Sequence, residues 1–170
     1  RQAADKIGDR VFLVEGLTEQ TGDLVSVVGA KLIDEKKTLA VIETLSQGLL
    51  ASKCMGGSWL IESLFAQSVE KLFCRLGLPL KQETMLERTA RAAMVIKEQS
   101  RADFALAQLY SGSDEAIKDQ NQNVTLYCVL LTDRGSSHQE YQIGGPIKRK
   151  QNQAALMSFD LIRRYLQEQK

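Results

Sequence analysis

The sequence predicts an α/β fold in which a mixed central sheet is covered by helices on both faces, a three-layer α/β/α sandwich. Over the first two thirds of the chain, short apolar runs typical of buried strands alternate with stretches of helical periodicity. The last third holds a hairpin over residues 124–143 and a closing helix, so some strands should be antiparallel. With no internal repeat and no long linker, we expect one domain over residues 1–170, with residues 1–20 leading into it.

The composition excludes several classes of protein. Of 170 residues, 44% are apolar and 25% are charged, with 12 Gly and 2 Pro, which excludes disordered and collagen-like chains. The 22 Lys and Arg residues nearly balance 21 Asp and Glu residues, so the net charge of +1 does not by itself indicate a surface that binds a polyanion, and a local basic patch stays open. No apolar run approaches the roughly 20 residues that a membrane span requires.

Cysteine and histidine content bears on metals and on the compartment. Three widely spaced cysteines and one histidine leave no zinc-type cluster, so we expect no metal, no cofactor and unpaired thiols in a reducing compartment, the cytoplasm. We expect no signal peptide. It begins with Arg1 rather than Met, and we expect it to be a segment of a longer protein.

The first elements have clear local signals. Val11–Glu15 is a short β-branched run typical of an edge strand. Between Leu24 and Ile33 the apolar residues follow one face of a helix, which either Thr21 or Asp23 caps. Thr38–Glu43 is a six-residue apolar run that indicates a buried strand.

The middle of the chain predicts two more helices and a strand before a long amphipathic helix. Gly48–Met55 is an apolar helical stretch, Trp59–Phe65 is a second strand, and Ser68 opens a helix that ends near Gly77. Glu83–Ser100 is the long helix. Its shared apolar face is predicted to hold Leu86, Ala90, Ala93 and Met94.

The last elements build the rest of the sheet. Asp103–Tyr110 is apolar enough for a third central strand, and Ser111–Asn123 is polar enough for a loop. Val124–Thr132 is the clearest strand, and a turn over Asp133–Ser137 leads to its partner at His138–Ile143. The closing helix shows helical spacing at Ala155, Phe159, Ile162 and Leu166.

The turn after the first buried strand is the first candidate site, because ligands of open α/β sheets bind beyond the carboxyl ends of the strands. Glu43, Thr44, Ser46 and Gly48 stand directly before a helix, where backbone N–H groups can bind an anion such as a phosphate. The same pattern fits a second interpretation, in which Thr44 and Ser46 cap the helix. Glu43 likewise either orients a ligand or accepts backbone N–H bonds at the turn.

The segment Leu39–Ala51, which reads LAVIETLSQGLLA, resembles the opening block of the C-terminal domain of the CinA (competence/damage-inducible) family, usually TVAESCTGGLLA. The resemblance covers roughly residues 10–168. Further similar blocks follow in the family's order at residues 76–79, 102–107, 125–127 and 154–164.

The resemblance implies an α/β/α sandwich that is often dimeric. It also implies an amidase that hydrolyses the carboxamide of nicotinamide mononucleotide to an acid and ammonia. A pyridine nucleotide and a second copy of the chain are therefore the expected partners. Longer family members carry an N-terminal domain related to molybdopterin-binding proteins, which is expected in the full-length protein.

Carried onto this chain, the family's catalytic positions fall on Thr44 and Lys71. Thr44 replaces the family's Ser and adds a methyl group, and Gln47 replaces its first Gly. Lys71 lies one residue before the family's Lys, an offset that rotates a helical side chain by about 100°. Gln67 stands where the family has Tyr, and an amide cannot act as a base.

The family's phosphate-contacting positions are also altered. Leu109 replaces a hydroxyl residue in the third block. The family's arginines near the last helix are displaced, and Lys148 and Arg149, followed by Lys150, are the nearest residues able to meet a phosphate. The other interpretation of these three residues is a solvated start of the last helix.

Three hypotheses follow. The favoured one is a diverged, catalytically impaired homologue that acts as a binding or dimerisation module of a larger protein. The second is an active amidase in which Thr44 supplies the hydroxyl and Lys71 the base. The third is a nucleic-acid module using residues 148–150 and Arg163–Arg164, against which the near-neutral charge argues.

Overall fold

The computed structural model describes residues 23–54 and 56–168. Within them, five strands form one mixed sheet, and six helices lie on its two faces. The strands are β1 (Leu39–Glu43), β2 (Leu60–Phe65), β3 (Phe104–Ser111), β4 (Val124–Thr132) and β5 (Gly135–Ile143). Their order across the sheet is β2-β1-β3-β4-β5, with β2, β1 and β3 parallel and the β3–β4 and β4–β5 pairs antiparallel.

The helices divide between the two faces. They are α1 (Leu24–Asp34), α2 (Leu49–Lys53), α3 (Val69–Arg75), α4 (Met85–Ser100), α5 (Asp114–Lys118) and α6 (Ile147–Glu168). Buried residues of α1, α2, α5 and α6 form one apolar core with the sheet, and those of α3 and α4 form a second core on the opposite face. The predicted three-layer α/β/α sandwich is confirmed.

β1 shows why the central strands are continuous apolar runs. Leu39 and Val41 belong to one core, whereas Ala40 and Ile42 belong to the other, and all four are fully buried. Because successive side chains of a strand point to opposite faces, a strand between two helical layers needs apolar residues at every position. This requirement explains why the strand was readable from the sequence.

Side-chain caps fix where several helices begin. Asp23, one of the two predicted caps, accepts the N–H of Ser26 at 2.8 Å. Ser68 caps α3 as predicted, and Thr84 forms a capping box with Glu87 at the start of α4. Each cap satisfies an N–H group that the helix itself leaves without an acceptor, which typically stabilises a helix by about 1 kcal/mol.

Three predictions differ from the structure. Residues 111–123 are not a continuous loop, because α5 forms within them from Ser113 onward. Met94 is 51% exposed rather than buried on the apolar face of α4, where Thr89 and Ala92 are buried instead. β5 begins at Gly135, so the hairpin turn is shorter than predicted. The predicted strand Val11–Glu15 lies outside the described residues.

Candidate functional site

The carboxyl end of β1 carries a buried carboxylate. The Glu43 side chain is 0% exposed and accepts the N–H groups of Leu50 at 3.0 Å and Ala51 at 2.9 Å. It also accepts a short hydrogen bond from the Ser46 hydroxyl. Leu50 and Ala51 lie in the first turn of α2, so the protein's own carboxylate occupies the anion-binding end of that helix.

Gly48 explains why this helix uses a distant cap. It is the residue that precedes α2, its φ is +88°, and it has no side chain that could accept a hydrogen bond. Ordinary N-caps such as Ser or Asp supply that acceptor locally. Here Glu43 supplies it from the end of the preceding strand.

Gln108 on β3 connects this turn to α6. Its Oε1 accepts the Ser46 N–H at 3.0 Å, and the Ser46 Oγ also lies 3.0 Å from it. Its Nε2 donates to the Ser158 Oγ at 2.9 Å and to the Ala154 carbonyl at 3.1 Å. Glu43, Ser46, Gln108 and Ser158 thus form one buried hydrogen-bonded group, termed here the Glu43 cluster.

Five backbone N–H groups of the turn donate hydrogen bonds to acceptors within the protein. Those of Ser46, Leu50 and Ala51 bond to the side chains of the Glu43 cluster. Those of Gln47 and Leu49 bond to the carbonyls of residues 44 and 46. These five N–H groups, which lie where the sequence pattern predicted a phosphate, are therefore engaged in holding the turn.

Thr44 is fully buried, and its hydroxyl also bonds to the backbone. The Oγ1 donates to the carbonyl of Gln108 at 3.1 Å, and the same carbonyl accepts the Thr44 N–H at 3.2 Å. The hydroxyl therefore extends the pairing of β1 with β3 past the end of β1.

Lys71 lies on the exposed side of α3. Its Nζ donates to the Gln67 Oε1 at 2.8 Å, one turn earlier along the chain. The hydrogen bonds of Lys71 and of Thr44 thus lead to different parts of the protein, and no hydrogen bond joins the two groups in the part of the chain that the structure describes.

Gln47 closes the turn against α6. Its φ is +52°, a left-handed conformation that favours glycine, the residue that the CinA pattern has at this position. Its Oε1 accepts a hydrogen bond of 2.8 Å from the Nε2 of Gln151, in the first turns of α6. The Gln47 side chain thus lies where the CinA pattern has glycine and therefore no side chain.

The three basic residues at the start of α6 have different surroundings. Lys148 and Arg149 are exposed, as a solvated helix start requires. Lys150 is 0% exposed, so that interpretation is wrong for it. Its Nζ donates to the carbonyls of Ala116 at 2.6 Å, Asp119 at 2.7 Å and Ile117 at 3.3 Å, which are at the end of α5.

Neither Gln108 nor the buried role of Lys150 at the end of α5 was predicted from the sequence. A single amide within the apolar run of β3 was a signal that this position has polar partners, because a buried amide must be hydrogen-bonded. Lys150 carried no comparable signal, since its acceptors are backbone carbonyls more than 30 positions earlier in the chain.

Two buried thiols adjoin the Glu43 cluster. Burial, together with the charge of Glu43, raises the pKa of Cys54 to about 12. Burial also raises the pKa of Cys128 to about 12, against the opposing effect of its contact with Ser158. Both thiols are protonated at neutral pH, so neither is an activated nucleophile.

Other features lie away from this turn. A surface cavity of about 500 Å³ lies at the opposite end of β3, lined in part by Met94, Arg101 and Asp103. Within residues 23–54 and 56–168, no group of three His, Cys, Asp or Glu side chains is placed to hold a metal ion. In the same residues, no helix combines the length and apolar character that crossing a bilayer requires.

Comparisons with known proteins identify the fold. No protein-family model and no curated protein sequence matches the chain. Among solved structures, a CinA superfamily protein from Klebsiella pneumoniae is similar with a TM-score of 0.72 and 15% identity, over 86% of this chain and 97% of that one. A CinA superfamily protein from Escherichia coli has a TM-score of 0.71 and 14% identity, over 91% of this chain and 94% of that one.

A third similar structure is a competence or damage-inducible protein from Enterobacter asburiae, with a TM-score of 0.70 and 16% identity. The match covers 85% of this chain and 96% of that one. At these identities the likeness concerns the backbone and carries no residue roles. The chain therefore has the fold of the CinA superfamily proteins, as the resemblance of its sequence blocks implied.

Proposed function

We propose that this CinA-like domain is catalytically impaired and acts as a binding or dimerisation module of a longer protein. The observation that carries the proposal is the state of the turn after β1. Its carboxylate, its two hydroxyls and the N–H groups of Ser46, Gln47, Leu49, Leu50 and Ala51 all bond within the protein.

The geometry at Thr44 argues against nucleophilic catalysis. A neutral hydroxyl attacks a carboxamide only when a base within hydrogen-bond reach removes its proton. The Thr44 hydroxyl is fully buried and donates to a backbone carbonyl, which is not a base. Lys71, the candidate base, is exposed and bonds to Gln67.

The N-terminus of α2, where a phosphate would bind, also argues against an active amidase. A helix N-terminus binds phosphate through free N–H groups and the positive end of the helix dipole. At α2 the Glu43 carboxylate holds those groups, and a phosphate approaching it meets a buried like charge. Of the three basic residues at the start of α6, Lys148 and Arg149 are exposed, and we assign any contact with a pyridine nucleotide to these two side chains.

Ammonia release from nicotinamide mononucleotide tests the proposal. The assay compares the wild-type chain with Thr44→Val and Lys71→Met, and with Lys81→Met as a matched exposed control. We expect no release above buffer from any of the four proteins. Release that is lost in Thr44→Val and Lys71→Met but kept in Lys81→Met would overturn the proposal and establish the amidase.

A further inference from the structure

The cavity of about 500 Å³ at the amino end of β3 lies between α4 and the end of β4. One wall is formed by the last two turns of α4, and the other by residues 131–133. Small-molecule sites in proteins typically have volumes of about 300–1,000 Å³. Because β1 and β3 are parallel, this cavity and the turn after β1 lie at opposite ends of the sheet. The cavity is therefore separate from the Glu43 cluster.

One stripe of α4 faces the cavity. Its members occupy positions i, i+3, i+4 and i+7, and they are Met94, Lys97, Glu98 and Arg101. Residues at this spacing lie on the same side of a helix. The helix packs on the sheet through other positions, among them Ala92, Ala93 and Ile96. The stripe thus adds an apolar group and three charges to the cavity without being the face that builds the core.

The apolar part of the cavity includes Met94. This side chain is 51% exposed, although the spacing of apolar residues along α4 predicted it in the core. The half-buried Leu131 and the buried Ala102 line the same cavity. Apolar surface that lines a cavity is stabilised when an apolar group covers it. An apolar portion of a ligand therefore fits against Met94 and Leu131.

Three of the charged groups at the cavity already have partners. The Lys97 Nζ donates to the Asp133 Oδ1 at 2.5 Å, which joins α4 to the turn after β4. Asp103 accepts the Thr38 N–H at 2.9 Å, the Thr38 hydroxyl at 2.8 Å and the Lys37 Nζ at 3.2 Å. These bonds hold the walls of the cavity together, and the charges that form them offset each other.

Glu98 and Arg101 are the other two charged residues at the cavity. Both are exposed, and neither side chain has a hydrogen bond or an ion pair within residues 23–54 and 56–168. Arg101 ends α4 with a φ of +57°, a conformation in which glycine is the usual residue. An arginine is strained there, so local backbone preference does not explain its presence.

The two unpaired charges suit a ligand that carries both signs. A guanidinium binds a carboxylate through two parallel N–H bonds, and a carboxylate accepts N–H bonds from an ammonium group. Because Glu98 and Arg101 are three positions apart on a helix, their Cβ atoms lie about 5–6 Å from each other. A small molecule can therefore contact both. Together with the apolar contact at Met94, these requirements describe a zwitterion with an apolar side chain.

We infer that this cavity binds a free amino acid with an apolar side chain, whose carboxylate binds Arg101 and whose ammonium group binds Glu98. The inference goes beyond the proposed function and concerns the other end of the sheet. The ammonia assay tests the turn after β1, so either result can fail without the other.

Titration of the ¹⁵N-labelled chain with L-leucine, followed by amide NMR, tests the site. We expect saturable shifts of the amides in residues 94–103 and 131–133, with a Kd below about 1 mM. N-acetyl-L-leucine lacks the ammonium group and L-leucinamide lacks the carboxylate, so each should bind at least about tenfold more weakly. The absence of saturable shifts in these segments, or an analogue that binds as tightly as L-leucine, would overturn the inference.

Arg101→Gln tests the carboxylate contact. It removes the charge and keeps a side chain at the same φ, and it should raise the Kd for L-leucine by roughly tenfold. L-leucinamide has no carboxylate, so it should bind this variant and the wild type equally. Lys36→Gln is the matched control, because Lys36 is another exposed base with a positive φ, +54°. Equal effects of Arg101→Gln and Lys36→Gln on the Kd would contradict the inference.

Met94→Gln tests the apolar contact. The change shortens no wall of the cavity and replaces apolar surface by an amide, so the Kd for L-leucine should rise several-fold. Leu80→Gln is the control, since Leu80 is also 51% exposed and does not line the cavity. If the two variants bind L-leucine equally well, the apolar side chain of the ligand does not lie against Met94 and the assignment is wrong.

Discussion

Glu43 and Lys150 are two fully buried charges that meet the same structural need at opposite kinds of helix end. The Glu43 carboxylate accepts N–H groups at the start of α2, and the Lys150 ammonium donates to carbonyls at the end of α5. Each charge satisfies backbone groups that a helix terminus leaves without partners and has the sign that the helix dipole favours there. Both α2 and α5 have only five residues, too short to be stable alone.

The comparison shows that charged residues expected beside a ligand can instead stabilise the fold. Both residues belong to sequence segments that the CinA resemblance placed near a nucleotide, and both bond to the protein's own backbone. Their partners have similar depth, since each charge has two buried partners and one half-buried partner, Ala51 for Glu43 and Asp119 for Lys150. Water can therefore replace part of the contacts of either charge. The two differ in the kind of partner, because Glu43 also accepts the hydroxyl of Ser46 whereas all three acceptors of Lys150 are backbone carbonyls.

The largest effect is expected from Glu43→Leu. This change leaves two N–H groups and the Ser46 hydroxyl without their buried acceptor, and each loss costs about 1–3 kcal/mol. We expect the free energy of unfolding in urea to fall by about 3–5 kcal/mol. Glu43→Gln keeps one acceptor oxygen and should lose less than half as much. A Glu43→Leu variant as stable as the wild type would show that the carboxylate is not needed as an acceptor.

Lys150→Met should have the next largest effect. It keeps the length of the side chain and removes the three donated bonds, so we expect a loss of about 2–3 kcal/mol in the free energy of unfolding. Lys148→Met is the matched control on the exposed face and should change stability by less than about 0.5 kcal/mol. Amide exchange over residues 114–118 should accelerate in Lys150→Met alone. Unchanged exchange there would contradict the capping role.

Thr44→Val should have a smaller effect. The change keeps the shape of the side chain and removes one neutral hydrogen bond, while the Gln108 carbonyl still accepts the Thr44 backbone N–H. We expect a loss of about 1 kcal/mol in the free energy of unfolding. Thr44→Ser retains the hydroxyl and serves as the control. A gain in stability in Thr44→Val would indicate a hydroxyl held in strain for a functional purpose.

Tyr141→Phe should have the smallest effect at neutral pH and a distinct one in alkali. The Tyr141 hydroxyl is buried without a hydrogen-bond partner among the described residues, so its removal should stabilise the fold by up to about 1 kcal/mol. Burial raises the pKa of Tyr141 to about 12 from an ordinary value of 10.0. The folded state therefore holds this proton longer than the unfolded state, and stability falls as the pH rises from 10 to 12.

The pH dependence distinguishes Tyr141→Phe from a neutral change in packing. The variant should show a shallower loss of unfolding free energy between pH 10 and 12 than the wild type. Tyr127→Phe, on the other face of the sheet, is the matched control for removal of a phenol. Parallel alkaline curves for the wild type and Tyr141→Phe would contradict the burial effect.

Local sequence signals predicted most of the fold and only part of the site. Strand β1 and the caps Asp23 and Ser68 were readable because each depends on residues within a few positions of one another. The short helix α5 was not, since it contributes only Ala116 and Ile117 to the core and its carbonyls are satisfied by a residue far along the chain. Stabilisation of that kind leaves no local pattern.

The candidate site also has a part that local sequence predicted and a part that it did not. The sequence located the turn after β1 and left two roles open for Glu43, and the structure has the carboxylate bonded to backbone N–H groups. The connection through Gln108 to Ser158 could not be predicted, because it joins β3 to α6 across 50 positions of sequence. Pairings between distant segments are set by the packed fold and not by spacing within either segment.

The most direct test of the structural role of this turn is the free energy of unfolding of Ser46→Ala, measured with and without nicotinamide mononucleotide. Ser46 donates to a buried carboxylate, and removing a hydrogen bond to a charged group costs about 2 kcal/mol. We expect that loss in the variant, and no nucleotide-dependent change in either protein. Unchanged stability in Ser46→Ala, together with a nucleotide-induced stabilisation of the wild type that the variant lacks, would show that the hydroxyl serves a ligand and would contradict this account.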